Sequence, residues 1–115
     1  MHTKSDTRKI LRKENMNGGK GHVIIERLLE EPELNGKCGL YAKVTIEKDC
    51  SLGYHEHHGE TETYYLLSGS GIYNDNGREV AATAGDVFFC EDGCGHALEN
   101  TGEEPIVFMA LIIKG

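Results

Sequence analysis

No apolar run in this 115-residue chain approaches the roughly 20 residues needed to cross a bilayer as a helix. Positive charge is also scarce: 12 lysines and arginines face 19 aspartates and glutamates, a formal net charge of −7. Phosphates would be repelled, which argues against nucleic acid and against anionic membranes as partners. The first residues, Met1 to Asp6, are polar and carry no apolar stretch, so no export signal is read there, and no Asn-x-Ser/Thr sequon occurs. A cytoplasmic location is the expectation. Cys38, Cys50, Cys90 and Cys94 form neither a recognisable secreted disulfide framework nor the two close pairs of a zinc ribbon. Cys38 and Cys90 read as small hydrophobes in strands, and Cys94 as a turn residue near His96. No amphipathic helix is apparent beyond a turn near the N-terminus, and there is no internal repeat.

Short strand-like segments separated by glycine turns fill the chain instead. Residues 1–15 are charged around a lone Ile10-Leu11, and read as a flexible arm or one that orders by packing on another subunit. After the break at Asn17-Gly18-Gly19, residues 22–29 read as a β-branched strand. Residues 38–47 alternate, with Leu40, Ala42, Val44 and Ile46 on one face and Tyr41, Lys43, Thr45 and Glu47 on the other. Asp75-Asn76-Gly77 lies between two more strands, and Asn-Gly is a strong hairpin signal. Residues 87–90 read as a buried strand, and 106–113 as a closing strand apolar on both faces. This pattern indicates one all-β domain over residues 16–115, a sandwich or barrel.

Two stretches concentrate the chemistry. His55 and His57 are two apart, so on a strand both side chains leave one face. A short loop follows, in which Gly59 allows a tight reversal, and Glu62 opens the next apolar run in phase with Tyr64 and Leu66. Were those two strands to pair, His55, His57 and Glu62 would converge on one point. Downstream, residues 85–100 supply His96 after a turn. Imidazoles with a carboxylate suit a divalent first-row metal. His58 should point away from His57, while His22 and His2 fit no such pattern. The string His55-Glu56-His57-His58 is not the zinc-protease H-E-x-x-H, because Gly59 stands where the second histidine is required.

In their spacing these stretches resemble the cupin superfamily, whose motifs read G-x5-H-x-H-x3or4-E-x6-G and G-x5-P-x-G-x2-H-x3-N. His55, His57, Glu62 and Gly69 meet the first, and Gly85, Gly93, His96 and Asn100 the second. Asp49 and Glu91 replace a motif Gly and Pro, neither of them a ligand position; Asp tolerates a left-handed turn. The resemblance implies a single antiparallel jelly-roll β-barrel with one divalent metal per chain (Mn, Fe, Ni or Zn) on His55, His57, Glu62 and His96. Asn100 would support the barrel.

A small oxygenated molecule would then occupy the open metal positions. The resemblance implies a metalloenzyme of dioxygenase, decarboxylase, isomerase or lyase type, with Tyr64, Glu91 and Cys94 as groups that could act beside the metal. The alternatives are a non-catalytic, metal-dependent ligand-binding or sensor protein, or a structural metal. Small cupins resemble one another in dimerising, and exposed sheet edges need cover, so a homodimer is expected.

Overall fold

The computed structural model describes residues 1–115. The larger of its two antiparallel sheets holds β1 (Ile10–Glu14), β2 (His22–Arg27), β3 (Cys38–Ile46), β5 (Glu60–Ser68), β8 (Val87–Cys90) and β10 (Ile106–Lys114). The smaller sheet holds β4 (Ser51–Glu56), β6 (Ser70–Asp75), β7 (Arg78–Thr83) and β9 (Gly95–Asn100). Strand order is β1-β2-β3-β10-β5-β8 in the first and β4-β9-β6-β7 in the second. From β3 to β6, and again from β7 to β10, each strand lies in the opposite sheet to the one before it. That is the jelly-roll arrangement the sequence implies.

Alternation decides what each strand buries. In β3, Ala42, Val44 and Ile46 face the core while Tyr41 and Lys43 are exposed. On β10, Ile106, Phe108 and Ala110 face the same core. Leu52, Tyr73, Ala82 and Leu98 meet them from the smaller sheet. The Asn76-Gly77 turn has φ of 52° and 98°, the double left-handed geometry of a two-residue hairpin, and joins β6 to β7 with Asp75 opposite Arg78. Asp49 has φ 65°, so it adopts the conformation for which the motif uses glycine.

Within the arm, residues 10–14 form β1, paired with β2 of the same chain from Ile10 opposite Glu26 to Glu14 opposite His22. All five are exposed, so backbone ladder bonds hold the strand, together with the Arg8–Glu26 ion pair at 2.7 Å. An edge strand that buries no side chain leaves no hydrophobic period to read. One expectation is corrected: residues 87–90 are not a buried strand. As β8 is the far edge of the larger sheet, Val87 and Phe89 are 62% and 53% exposed, and only Cys90 is buried.

A short turn, Met16–Gly18, packs against β4. A Cβ at residue 53 would collide with the Asn17 carbonyl and the Gly19 amide, so only glycine lets the turn sit there. A one-turn helix, Glu31–Leu34, occupies the loop between β2 and β3.

Asn100 ties β9 to its surroundings. Its buried amide donates to the carbonyls of Ile46 and Glu104, both at 2.9 Å, and its oxygen accepts from the Gly102 amide at 2.9 Å. Asn100→Ala should therefore lower the unfolding free energy by about 2–4 kcal/mol, because buried partners lose their bonds. Chemical denaturation reads that loss, and metal content of the folded fraction should be unchanged.

Candidate metal centre

His55 lies on β4 directly opposite His96 on β9, both in the smaller sheet. His57 follows the end of β4, where its amide donates to the Cys94 carbonyl at 3.0 Å and its carbonyl accepts from Gly93 at 2.7 Å. Glu62 enters from β5, in the larger sheet between β10 and β8. The strands carrying the histidine pair and the glutamate therefore do not pair with each other, as the sequence reading supposed. The loop after His57, with Gly59 at φ 78°, crosses from one sheet to the other, and the four side chains meet between the layers.

Each imidazole is held by the nitrogen that faces away from the meeting point. His55 Nδ1 lies 2.9 Å from the Gly53 carbonyl, and His57 Nδ1 lies 2.7 Å from a Glu60 carboxylate oxygen. Carbonyl and carboxylate only accept, so both Nδ1 atoms carry a proton. His96 Nδ1 lies 2.8 Å from the Tyr73 hydroxyl. All three Nε2 atoms then point inward at one another and at Glu62 Oε1. His96 Nε2 is 3.1 Å from His57 Nε2, 3.2 Å from His55 Nε2 and 3.0 Å from the Glu62 oxygen. His57 Nε2 is 2.9 Å from that oxygen and His55 Nε2 is 3.9 Å from it.

With the imidazoles neutral, three nitrogen lone pairs and a carboxylate oxygen crowd one point, and a single proton cannot bridge them all. A central cation satisfies every one at once. Neighbouring donors on a six-coordinate ion with ~2.1 Å bonds sit ~3.0 Å apart and opposite donors ~4.2 Å. The four short separations and the one long one are those of donors that could surround one such ion. The donor set fits a divalent first-row metal and carries one negative charge, leaving half the ion's charge for other ligands.

The electrostatics agree. Without a metal, protons on the rings take its place: burial alone would raise the Glu62 carboxyl, but protonated imidazoles beside it, His55 and His96 foremost, hold it down to about 2. Burial lowers His96, outweighing the pull of Glu62. His55 is pushed down by burial, yet the nearby Glu62 carboxylate and the bond to the Gly53 carbonyl leave it raised. Acid competes with metal for these nitrogens, since each must lose its proton to bind.

A cavity of about 170 Å³ opens beside the donors and touches His55, His57 and Glu62. Tyr64 lines it and stacks on His96 with ring centroids 4.7 Å apart. Burial, then the Glu62 charge, raise the Tyr64 hydroxyl well above its ordinary value. Glu91 is exposed and Cys94 half-buried on the turn before β9, and neither lines the cavity. His58 points to solvent against Glu56, and His22 contacts Glu47 away from the site. Sequence reasoning missed Glu60 and Tyr73, the groups that orient His57 and His96. The alternation of β6, with Gly71 and Tyr73 buried, was the available signal for Tyr73.

A family model described as "Cupin domain" matches residues 42–112. The chain belongs to the cupin family. It is 43% identical over 99 residues to the oxalate-binding protein of Thermotoga maritima, covering 86% of this chain and 82% of that cupin. Oxalate decarboxylase OxdC of Bacillus subtilis is 33% identical over 75 residues, which are 61% of this chain and 20% of the longer enzyme. Among solved structures, that of a predicted oxalate decarboxylase from Thermotoga maritima superposes with a TM-score of 0.95 at 40% identity, covering all of both chains.

Outer partners of metal-bound histidines are worth roughly 10- to 100-fold in affinity. Tyr73→Phe should weaken metal binding on that scale, because His96 Nδ1–H loses its buried acceptor. His57→Ala and Glu62→Ala should lose most of the metal. Elemental analysis and competition with a chromophoric chelator test both; full affinity in Tyr73→Phe would contradict the orienting role.

Proposed function

We propose that this cupin holds one divalent transition metal per chain, Mn, Fe, Ni or Zn, on His55, His57, Glu62 and His96, and uses it to bind a small chelating oxygen ligand. One observation carries the reading: four convergent donors leave part of an ion's coordination open, beside a cavity that touches three of them. A carboxylate pair such as oxalate chelates through two oxygens and would complete a six-coordinate ion. The oxalate-binding relative makes oxalate the first ligand to test.

Turnover would call for a proton donor or acceptor beside the bound molecule. Apart from the metal donors, the one titratable group on the cavity wall is Tyr64, whose proton is held far above neutral pH. Binding without turnover is therefore preferred to the metalloenzyme expectation. Calorimetry of Mn-loaded protein should show about one oxalate per chain, with no carbon dioxide released. Binding should vanish after chelator treatment and in His57→Ala. Equal oxalate affinity without metal, or steady release of carbon dioxide, would overturn this reading.

The assembly is read as a homodimer formed through the outer face of the larger sheet. Tyr41, Tyr65, Leu67, Val87, Phe89 and Ile113 are exposed there, with Tyr65 opposite Val87 and Thr63 opposite Phe89 in register. Of charged residues, the outward positions of β3, β10, β5 and β8 include Lys43, which lies 3.7 Å from Glu26, but no carboxylate. Two chains of net charge −7 approach each other best where acids are missing. Tyr65→Glu with Phe89→Glu should give a monomer by light scattering with unchanged metal content; a dimer that survives both charges would remove this face from consideration. Four free cysteines support a reducing, cytoplasmic setting, and no helix is long and apolar enough to cross a membrane.

A further inference from the structure

We infer that the ligand of this site carries a short apolar tail behind its chelating head, as in a 2-oxo or 2-hydroxy acid of about four to six carbons. The inference rests on the reading of the four donors as a metal site, and it concerns the rest of the cavity. Ten of the fourteen residues lining that cavity are hydrophobic, and the four others are Asn17 and three of the metal donors. No lysine, arginine, serine or threonine reaches the wall. Once two oxygens of oxalate are on a metal, its two distal oxygens need hydrogen-bond donors of their own. Asn17 at the exposed turn and the Tyr64 hydroxyl are the only side chains off the metal able to donate one. A charged oxygen set against aliphatic walls loses its hydration without replacement, which is costly.

The register gives the cavity its direction. On the inner face of the larger sheet, Glu62 lies opposite Ile112, which lies opposite Leu40. In the next row Tyr64 lies opposite Ala110, and Ala110 opposite Ala42. Beyond them Phe108 lies opposite Val44, which lies opposite Ile25 on β2. Strands are spaced ~5 Å apart, so the wall leads from Glu62 across β10 and β3 to β2 over roughly 14 Å. Ala110 leaves the middle of that wall hollow, and the half-buried Met16 lines the cavity with a side chain that adapts to shape. An apolar cavity of ~150 Å³ accepts benzene. A volume of about 170 Å³ beside an ion thus suits a tail of a few carbons.

Mn-loaded protein, its metal content fixed by elemental analysis, would be titrated with pyruvate, 2-oxobutanoate, 2-oxopentanoate, 4-methyl-2-oxopentanoate and oxalate at one pH. Affinity is expected to rise about two- to fourfold with each added carbon, as burial of a methylene dictates. Ala110→Val, which fills the hollow, should flatten the series while leaving metal content in place. A flat or falling series in the unaltered protein, with oxalate bound tightest, overturns the tail and leaves the chelation reading standing. Failure to take up metal, or metal uptake with no affinity for any of the five acids, overturns both. The unaltered protein alone decides the matter should the Ala110 variant fold poorly.

Discussion

Three imidazole lone pairs and a carboxylate oxygen directed at one point form an arrangement that repels itself, and the rest of the structure is arranged to hold it. Left free, any of the rings would turn its N–H inward and relieve the crowding. The Gly53 carbonyl, Glu60 and Tyr73 prevent that, each anchoring an Nδ1 from a different part of the chain. The anchors differ in kind. A backbone carbonyl comes with the strand itself, a carboxylate adds a full charge beside the ring, and a phenol brings its own buried packing. Tyr73 is stacked on Phe88 at 4.1 Å between ring centroids, so its hydroxyl is fixed by the hydrophobic core. Ligand geometry and core packing are thus coupled, and preorganisation of the donors is a property of the barrel as a whole.

The division of the donors between two sheets follows from the same requirement. Had β4 and β5 formed a hairpin, three donors would have stood side by side on one surface, open to water. Crossing sheets after His57 brings Glu62 from the other layer to the three histidines, so an ion there would be held from both layers within the core. Burial there would be prohibitive for an unpaired carboxylate. Glu62 tolerates it because protonated imidazoles beside it hold its carboxyl down to about 2. A metal taking the place of those protons would meet a carboxylate that is already charged.

Much of this was legible in the sequence, for identifiable reasons. His55, His57, Glu62 and His96 were set apart by spacing and by the cupin resemblance, since a metal demands particular residue types at particular intervals. The faces of β3 and the Asn76-Gly77 hairpin followed from period-two alternation and from turn chemistry that few residues can adopt. What escaped shares one property, that its cause lies across the fold. The role of Glu60 depends on the path of the chain after Gly59. Nothing in the local sequence links Tyr73 to His96. β1 buries no side chain, so its order comes from the free edge of β2, which no local pattern announces. The burial assigned to Val87 and Phe89 failed because an apolar strand at a sheet edge looks the same in sequence as one in the middle.

The remaining contrast is between the two halves of the cavity. Around the donors, the outward ring nitrogens are paired, with the Gly53 carbonyl, Glu60 and Tyr73. Away from them the wall is aliphatic, with Val23, Ile25, Leu40 and Ile112 facing space that the barrel does not fill. A core built for stability alone would close that space, since each unfilled methylene costs about 1 kcal/mol in packing and transfer. Ala110 sits on β10 in the middle of that wall, where a larger side chain would close it most directly. Keeping it small is intelligible if the space belongs to a ligand: an ion on the donors would fix the oxygen end of the molecule, and the hollow would select among molecules that share that end.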